Sequence, residues 1–221
     1  TASSGNYGHL LADVLPRLVH VAELGLRRFA VPVPAHAMPL WPVVRWTAAR
    51  LGLEVTPIAC APGLLLRAEL LFWAGPVSQH NRRKSPTLRR LARALAPEGE
   101  GTRRLFVTRP PGGNRAMANQ PALEALATAA GWEVVEPSLL PFPEQVALFA
   151  GASRVLGPLG AGLCNAMFMP DGGRLAMIAG ARFDVFFWDL ACALGQRFDW
   201  VFTQPLGPYR PEHLWASAVL R

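Results

Sequence analysis

From residue 104 onward the chain alternates short, β-rich apolar runs with segments of helix length, and few folds accept that pattern. Arg104-Leu-Phe-Val-Thr108 is apolar and β-prone. Residues 119–131 read as a helix, with Asn119 as cap, Pro121 in the first turn and Gly131 as stop. Leu123, Leu126, Ala127 and Ala130 fall on one face of it. Trp132-Glu-Val-Val-Glu136 reads as a strand, 142–152 as a short helix and Arg154-Val-Leu-Gly157 as a strand. Gly160–Phe168 opens a helix, Arg174–Ala179 is a strand, and a helix near 184–194 and a strand at 199–203 complete the series. Strand–helix alternation with short connections specifies a parallel sheet covered on both faces.

The first hundred residues are less regular. Residues 9–25 suit a helix that Pro16 kinks or splits. Arg28–Val33 and Leu53–Ile58 read as strands around a helix in 40–51. The apolar run 64–75, interrupted by Arg67 and Glu69, reads as holding a buried strand at Ala68–Trp73. Polar, glycine-bearing Pro97–Arg103 is the linker. The expected fold class is α/β: two Rossmann-like halves with parallel sheets, 1–98 and 99–221, and a cleft between them. The chain begins at Thr1 without Met, which leaves open a removed N-terminal portion and an incomplete first half.

Composition narrows the function classes. At 51% hydrophobic and 17% charged residues, the chain buries a substantial core and is not disordered. No apolar run reaches the roughly 18 residues of a membrane span, and no signal peptide is visible. Cys60, Cys164 and Cys192 are far apart, which speaks for reduced thiols and against a disulfide framework or a zinc site. A single lysine, Lys84, stands among 22 Lys and Arg residues, and with so much Ala, Leu, Pro and Gly the usage fits GC-rich bacterial coding. The expected location is the bacterial cytoplasm, with peripheral membrane association left open. The net charge of +7 is uneven, with Arg82, Arg83, Lys84, Arg89, Arg90 and Arg93 in one stretch. A nucleic-acid or anionic-polymer site would want interleaved aromatics for stacking, and the stretch has none. Its plain reading is a solvated helix face.

Three clusters carry candidate chemistry. Gly157, Gly160 and Gly162 lie where a strand ends and a helix begins, a place where backbone N–H groups and the helix dipole favour an anion. The spacing is neither the dinucleotide fingerprint nor a P-loop. Arg109 and Arg115 follow the strand at 104–108, and guanidinium forks suit diphosphate oxygens. His9 and Asp13 are four apart and share one helix face. Either could accept a proton from a hydroxyl nucleophile.

Together the clusters resemble family 61 glycosyltransferases. The family's early H-F-x-x-E/D-x-L-P-R-L motif is matched by His9-Leu-Leu-Ala-Asp13-Val-Leu-Pro16-Arg17-Leu18. Its R-x-x-x-x-x-R-x-x-x-N-E segment is matched by Arg109, Arg115 and Asn119-Gln120, and G-W/F-x-V-V-x-P by Gly131-Trp-Glu-Val-Val-Glu-Pro137. F-x-E-Q-x-x-L-F appears as Phe142-Pro-Glu-Gln145-Val-Ala-Leu-Phe149, and G-x-H-G-A-G-L-x-N as Gly157-Pro-Leu159-Gly160-Ala-Gly162-Leu-Cys-Asn165. Order and spacing hold over about residues 6–178.

The resemblance implies a GT-B arrangement and an inverting, metal-independent transfer from a nucleotide sugar, UDP-linked, to a saccharide or glycoconjugate acceptor, as in capsular polysaccharide assembly. No D-x-D motif is present, and neither a separate cofactor nor nucleic acid is expected. By carry-over, Arg109, Arg115 and the amides of Gly160, Ala161 and Gly162 hold the diphosphate. Asn119 and Asn165 orient the donor or brace the loop. Asp13 is the candidate base, with His9 as rival or helper. Three positions depart from the family pattern: its His is Leu159, the Glu of its N-E is Gln120, and the Glu expected at the next strand's end falls on Met177. Those changes imply an unusual or weakly bound donor, or a catalytically silent binding or scaffolding protein.

Overall fold

The structure, a computed structural model, describes residues 5–78, 83–97, 99–110, 117–179, 185–205 and 218–219. The chain divides into two units, Thr1–Leu95 and Ala96–Arg221.

In the first unit, Asn6 caps the opening turn, its Oδ1 accepting from the N–H groups of Gly8 at 2.9 Å and His9 at 3.3 Å. Helix α1 (Tyr7–His9) runs into a π-helical turn, Leu10–Val14, and then into α2 (Pro16–Glu23). Pro16 lacks an N–H, and its ring would press on the Ala12 carbonyl of a regular helix. The wider turn, closed by Leu15 N–H to the Leu10 carbonyl at 2.9 Å, passes the proline without ending the helix. β1 (Arg28–Pro34) and β2 (Glu54–Cys60) pair in parallel across the crossover helix α3 (Trp41–Arg50). Helix α4 (Thr87–Leu95) buries Leu88, Leu91, Ala92 and Leu95.

The strand expected at Ala68–Trp73 does not form. The segment 61–78 has neither helix nor strand, and Leu70, Leu71 and Trp73 are 73%, 75% and 80% exposed. Apolar content suits a strand only where a neighbour offers its backbone, and the described sheet of this unit is the β1–β2 pair alone.

The second unit is built on a parallel sheet of β3 (Arg103–Val107), β4 (Glu133–Val135), β5 (Ala152–Pro158), β6 (Arg174–Ala179) and β7 (Arg197–Phe202), in spatial order β4-β3-β5-β6-β7. The connecting helices are α5 (Gln120–Ala129), α6 (Phe142–Ala150) and, after β6, α7 (Phe186–Leu194). A short antiparallel pair, β8 (Gln204–Pro205) and β9 (Ala218–Val219), follows. Phe106 packs with Met117, Ala127 and Ile178, and Leu123, Trp132, Val134, Leu156 and Val201 join this cluster on one face of the sheet. Leu126, expected on the same helical face, is instead 66% exposed, because α5 docks through the Leu123–Ala127 line. At the end of α5, Gly131 takes φ +75°, and Trp132 N–H reaches the Ala127 carbonyl at 2.9 Å, a Schellman closure.

The segment Ala161–Phe168 is a 3₁₀ helix rather than the α-helix the sequence predicts. Asn165 Nδ2 donates to the Gly162 carbonyl at 3.2 Å, taking the acceptor that an α-turn would give to the Ala166 N–H. This helix covers the sheet's other face: a Cβ on Gly162 would stand 3.3 Å from Val107 Cγ1, and one on Gly157 3.3 Å from Leu163 Cδ2. Among the described residues no helix is long and apolar enough to cross a membrane.

Candidate functional site

Strand order decides where a ligand binds on the second sheet. The chain steps from β3 outward to β4, then crosses back over β3 to β5. The switch point of the sheet therefore lies between β3 and β5, and in open α/β sheets ligands sit beyond the carboxyl ends of the strands flanking such a point. Arg109 lies two residues past β3, and Gly160 two residues past β5.

These two residues meet. Arg109 Nη1 donates to the Leu159 carbonyl at 2.9 Å. A Cβ on Gly160 would stand 2.6 Å from the same Nη1 and 3.2 Å from Cζ. The backbone of Gly160 is extended (φ 174°), a conformation open to any residue, so the close guanidinium is what requires glycine here. The N–H groups of Ala161 and Gly162 open the 3₁₀ helix and are donors of the kind that every helix start leaves to an outside partner. Partial burial shifts the Arg109 pKa downward from the ordinary arginine value.

The turn is braced from behind. Asn165 is fully buried, and its Nδ2 also donates to Gln145 Oε1 at 2.8 Å. Gln145 Nε2 in turn reaches the Leu140 carbonyl at 2.8 Å, tying the turn to α6 and the loop before it. The Arg109 main chain has its own support. Gln120 Nε2 donates to Thr108 Oγ1 at 2.7 Å, to the Arg109 carbonyl at 2.8 Å and to Glu124 Oε1 at 2.8 Å, and Thr108 Oγ1 also donates to Glu124. Asn119 stands at the N-cap position of α5 without a side-chain cap bond. Arg115 lies outside the described residues. Leu159 and Met177 are 4% and 0% exposed, so both side chains belong to the core, and Leu159 meets Arg109 through its carbonyl. Met177 pairs with Gly157 inside β6, two residues before the strand ends at Ala179. It is therefore not the strand-end residue that the sequence comparison takes it for.

In the first unit, His9 Nδ1 lies 2.7 Å from Asp13 Oδ2, as the four-residue spacing predicts. Asp13 Oδ1 accepts from Lys84 Nζ at 2.6 Å, and the Lys84 side chain is 0% exposed. Arg17 Nε donates to the Asp13 carbonyl at 3.1 Å. The basic stretch is thus not one solvated face. Arg90 pairs with Glu23 at 2.5 Å near the surface, and Arg83 and Arg93 are exposed, whereas Lys84 is taken inside.

Sequence reasoning missed Lys84, Glu124, Thr108 and the bracing role of Gln145. The one available signal for Lys84 was its being the only lysine. Gln145 stood in the matched F-x-E-Q motif, but its role, like those of Glu124 and Thr108, depends on a contact between separate elements.

A parallel α/β sheet whose switch point carries an arginine, held over a glycine turn that opens a helix, has donors placed where an anion could bind. The chain belongs to glycosyltransferase family 61: the family model described as Glycosyltransferase 61 matches residues 7–176, which takes in the His9–Asp13 pair, Arg109 and the Gly160 turn. Such a family implies a sugar donor and an acceptor. No curated protein matches the chain.

Proposed function

We propose that the protein transfers a sugar from a UDP-linked donor to a hydroxyl of a saccharide or glycoconjugate acceptor, with inversion at the anomeric carbon. The second unit holds the donor. Arg109 offers its planar fork to the diphosphate, joined by the Gly160, Ala161 and Gly162 amides and by Arg115 and Asn119, while Asn165 keeps the turn in shape. The first unit activates the acceptor, a division of labour of the GT-B kind.

In the reacting step the acceptor oxygen bonds to the anomeric carbon as its proton passes to the base. The bond from that carbon to the diphosphate oxygen breaks, and UDP leaves with the electron pair. Negative charge growing on the diphosphate meets the guanidinium and the main-chain amides, which act without a metal ion. For the base, geometry favours His9 over Asp13. Both Asp13 oxygens are engaged, one by His9 and one by Lys84. A carboxylate on Nδ1 fixes the tautomer in which Nε2 is the basic nitrogen, the arrangement of an acid–histidine dyad.

The contact of Arg109 with the Gly160 turn at the switch point carries this reading. A second reading, a catalytically silent nucleotide-binding protein, is favoured by Leu159, apolar and buried where the family pattern has histidine. The test is incubation with a panel of UDP-sugars and saccharide acceptors, reading UDP release and product anomeric configuration. Turnover with inversion is expected, falling about 10²-fold or more in His9→Ala. UDP binding without turnover on any acceptor would favour the silent reading. Retention of configuration would overturn the single displacement.

A further inference from the structure

Lys84 is out of place as a mere surface charge. It lies in an arginine-rich stretch, three residues before α4, yet its side chain is 0% exposed. Nζ reaches Asp13, 71 residues away in sequence, at 2.6 Å. Burying an ammonium carries a desolvation penalty of several kcal/mol, and a buried ion pair often stabilises a fold no better than apolar residues of the same volume. Apolar residues are what the neighbouring helix packs: Leu88 and Leu91 are both 0% exposed. Stability therefore gives poor grounds for a lysine here.

The chemistry of the ion fits another purpose. Every other basic side chain among the 22 Lys and Arg residues is an arginine. A guanidinium has five donors in a wide planar fork, more than one carboxylate oxygen can satisfy in a closed pocket. The ammonium is a compact point charge. It takes Oδ1 and leaves Oδ2 for the His9 ring, so the carboxylate is gripped from both ends and its plane is set.

We propose that Lys84 is a positioning residue for acceptor activation: by clamping Asp13 Oδ1 it holds Oδ2 on His9 Nδ1, so that His9 keeps one tautomer and one ring orientation with Nε2 as proton acceptor. Lys84 gives and takes no proton in the step. The inference rests on the reading of His9 as the base.

Two readouts separate this role from a structural one. Ring ¹⁵N spectra of the five histidines, in the full chain, report the His9 tautomer without any need for activity. The wild type is expected to show His9 protonated at Nδ1, and Lys84→Met a mixture of tautomers. In glycosyl transfer Lys84→Met is expected to lose about tenfold or more in kcat with KM for donor and acceptor changed less than about threefold. Because Lys84→Met strands a carboxylate, Asp13→Asn is also compared with Asp13→Asn/Lys84→Met. If Lys84 acts through Asp13, the second substitution adds nothing to the kcat loss of the first. A Lys84→Met variant with wild-type kcat and an unmoved His9 tautomer, or a further tenfold loss in the double variant, overturns the proposal. If the wild type transfers no sugar at all, the functional reading fails, and the tautomer spectra alone decide the role of Lys84: a His9 tautomer fixed without Lys84 overturns it.

Discussion

Arg109 occupies the space that a side chain on Gly160 would need: its Nη1 lies 2.6 Å from the place of a Gly160 Cβ while it donates to the Leu159 carbonyl at 2.9 Å. The two residues are 51 apart in sequence and come from strands that are neighbours only because the chain crosses over β3. Glycine and arginine at this point form one feature.

Two glycine substitutions three residues apart are therefore expected to do different things. In Gly160→Ala the obstacle is the far end of a flexible side chain, which swings away. Stability should change little, while UDP affinity falls about tenfold or more as the fork leaves the turn. In Gly157→Ala the obstacle is the Val107 carbonyl at 2.5 Å, which cannot move without shifting β3. A loss of about 1–3 kcal/mol of stability is expected from overpacking. Urea unfolding and calorimetry with UDP, run on both variants, check the contrast.

Gln120 stands where the family pattern has glutamate, and its amide nitrogen donates to three oxygens, on Thr108, Arg109 and Glu124. Restoring the acid in Gln120→Glu turns that donor into an acceptor facing two acceptors and a carboxylate. A loss of about 1–3 kcal/mol is expected from the unmet groups. A weaker UDP affinity should accompany it, because the Arg109 carbonyl loses its anchor. The double variant Gln120→Glu/Glu124→Gln restores an amide–carboxylate pair between the two positions and should recover part of the stability. It should not recover the affinity, since position 120 still cannot donate to the Arg109 carbonyl; urea unfolding and calorimetry would show it.

The clip between β3 and the edge strand β4 is acid-sensitive. Arg103 Nε donates to Glu133 Oε1 at 2.8 Å, and this hydrogen bond, followed in size by opposing burial and then by Coulomb attraction, holds the Glu133 carboxyl below its ordinary pKa. A lowered carboxyl pKa contributes stability that is present above the unfolded value and disappears as pH falls through the folded one. Both side chains are more than a third exposed, so the contribution is at most about 1 kcal/mol. Arg103→Met is expected to be less stable than the wild type at pH 7 by up to that amount, and equal to it well below the ordinary carboxylate pKa of about 4. Urea midpoints at the two pH values would show it.

Much of the second unit could be read from its sequence, because strand and helix periodicities alternate cleanly and Gly131 and the proline-bearing helix starts mark the boundaries. The ends of β6, α6 and α7 fall within about two residues of the expected ones. What could not be read depended on partners. Whether 68–73 becomes a strand turned on a neighbouring backbone, which the described residues do not offer it. The 3₁₀ form of 161–168 turned on one side-chain amide choosing the Gly162 carbonyl. The candidate site divides in the same way. Arg109, the glycines and the His9–Asp13 pair were visible as strand-end and four-residue spacings. The switch point between β3 and β5 needs the spatial order of the strands, and Lys84 reads as one more surface charge until the fold closes over it.

The most direct measurement is calorimetric titration of UDP into the full chain and into Arg109→Ala. Binding by the wild type is expected, with an affinity at least tenfold weaker in the variant, about 1.4 kcal/mol or more of lost diphosphate contact. Equal affinity in the two proteins, or no binding by a folded wild type, would contradict a diphosphate seat at the Arg109–Gly160 turn.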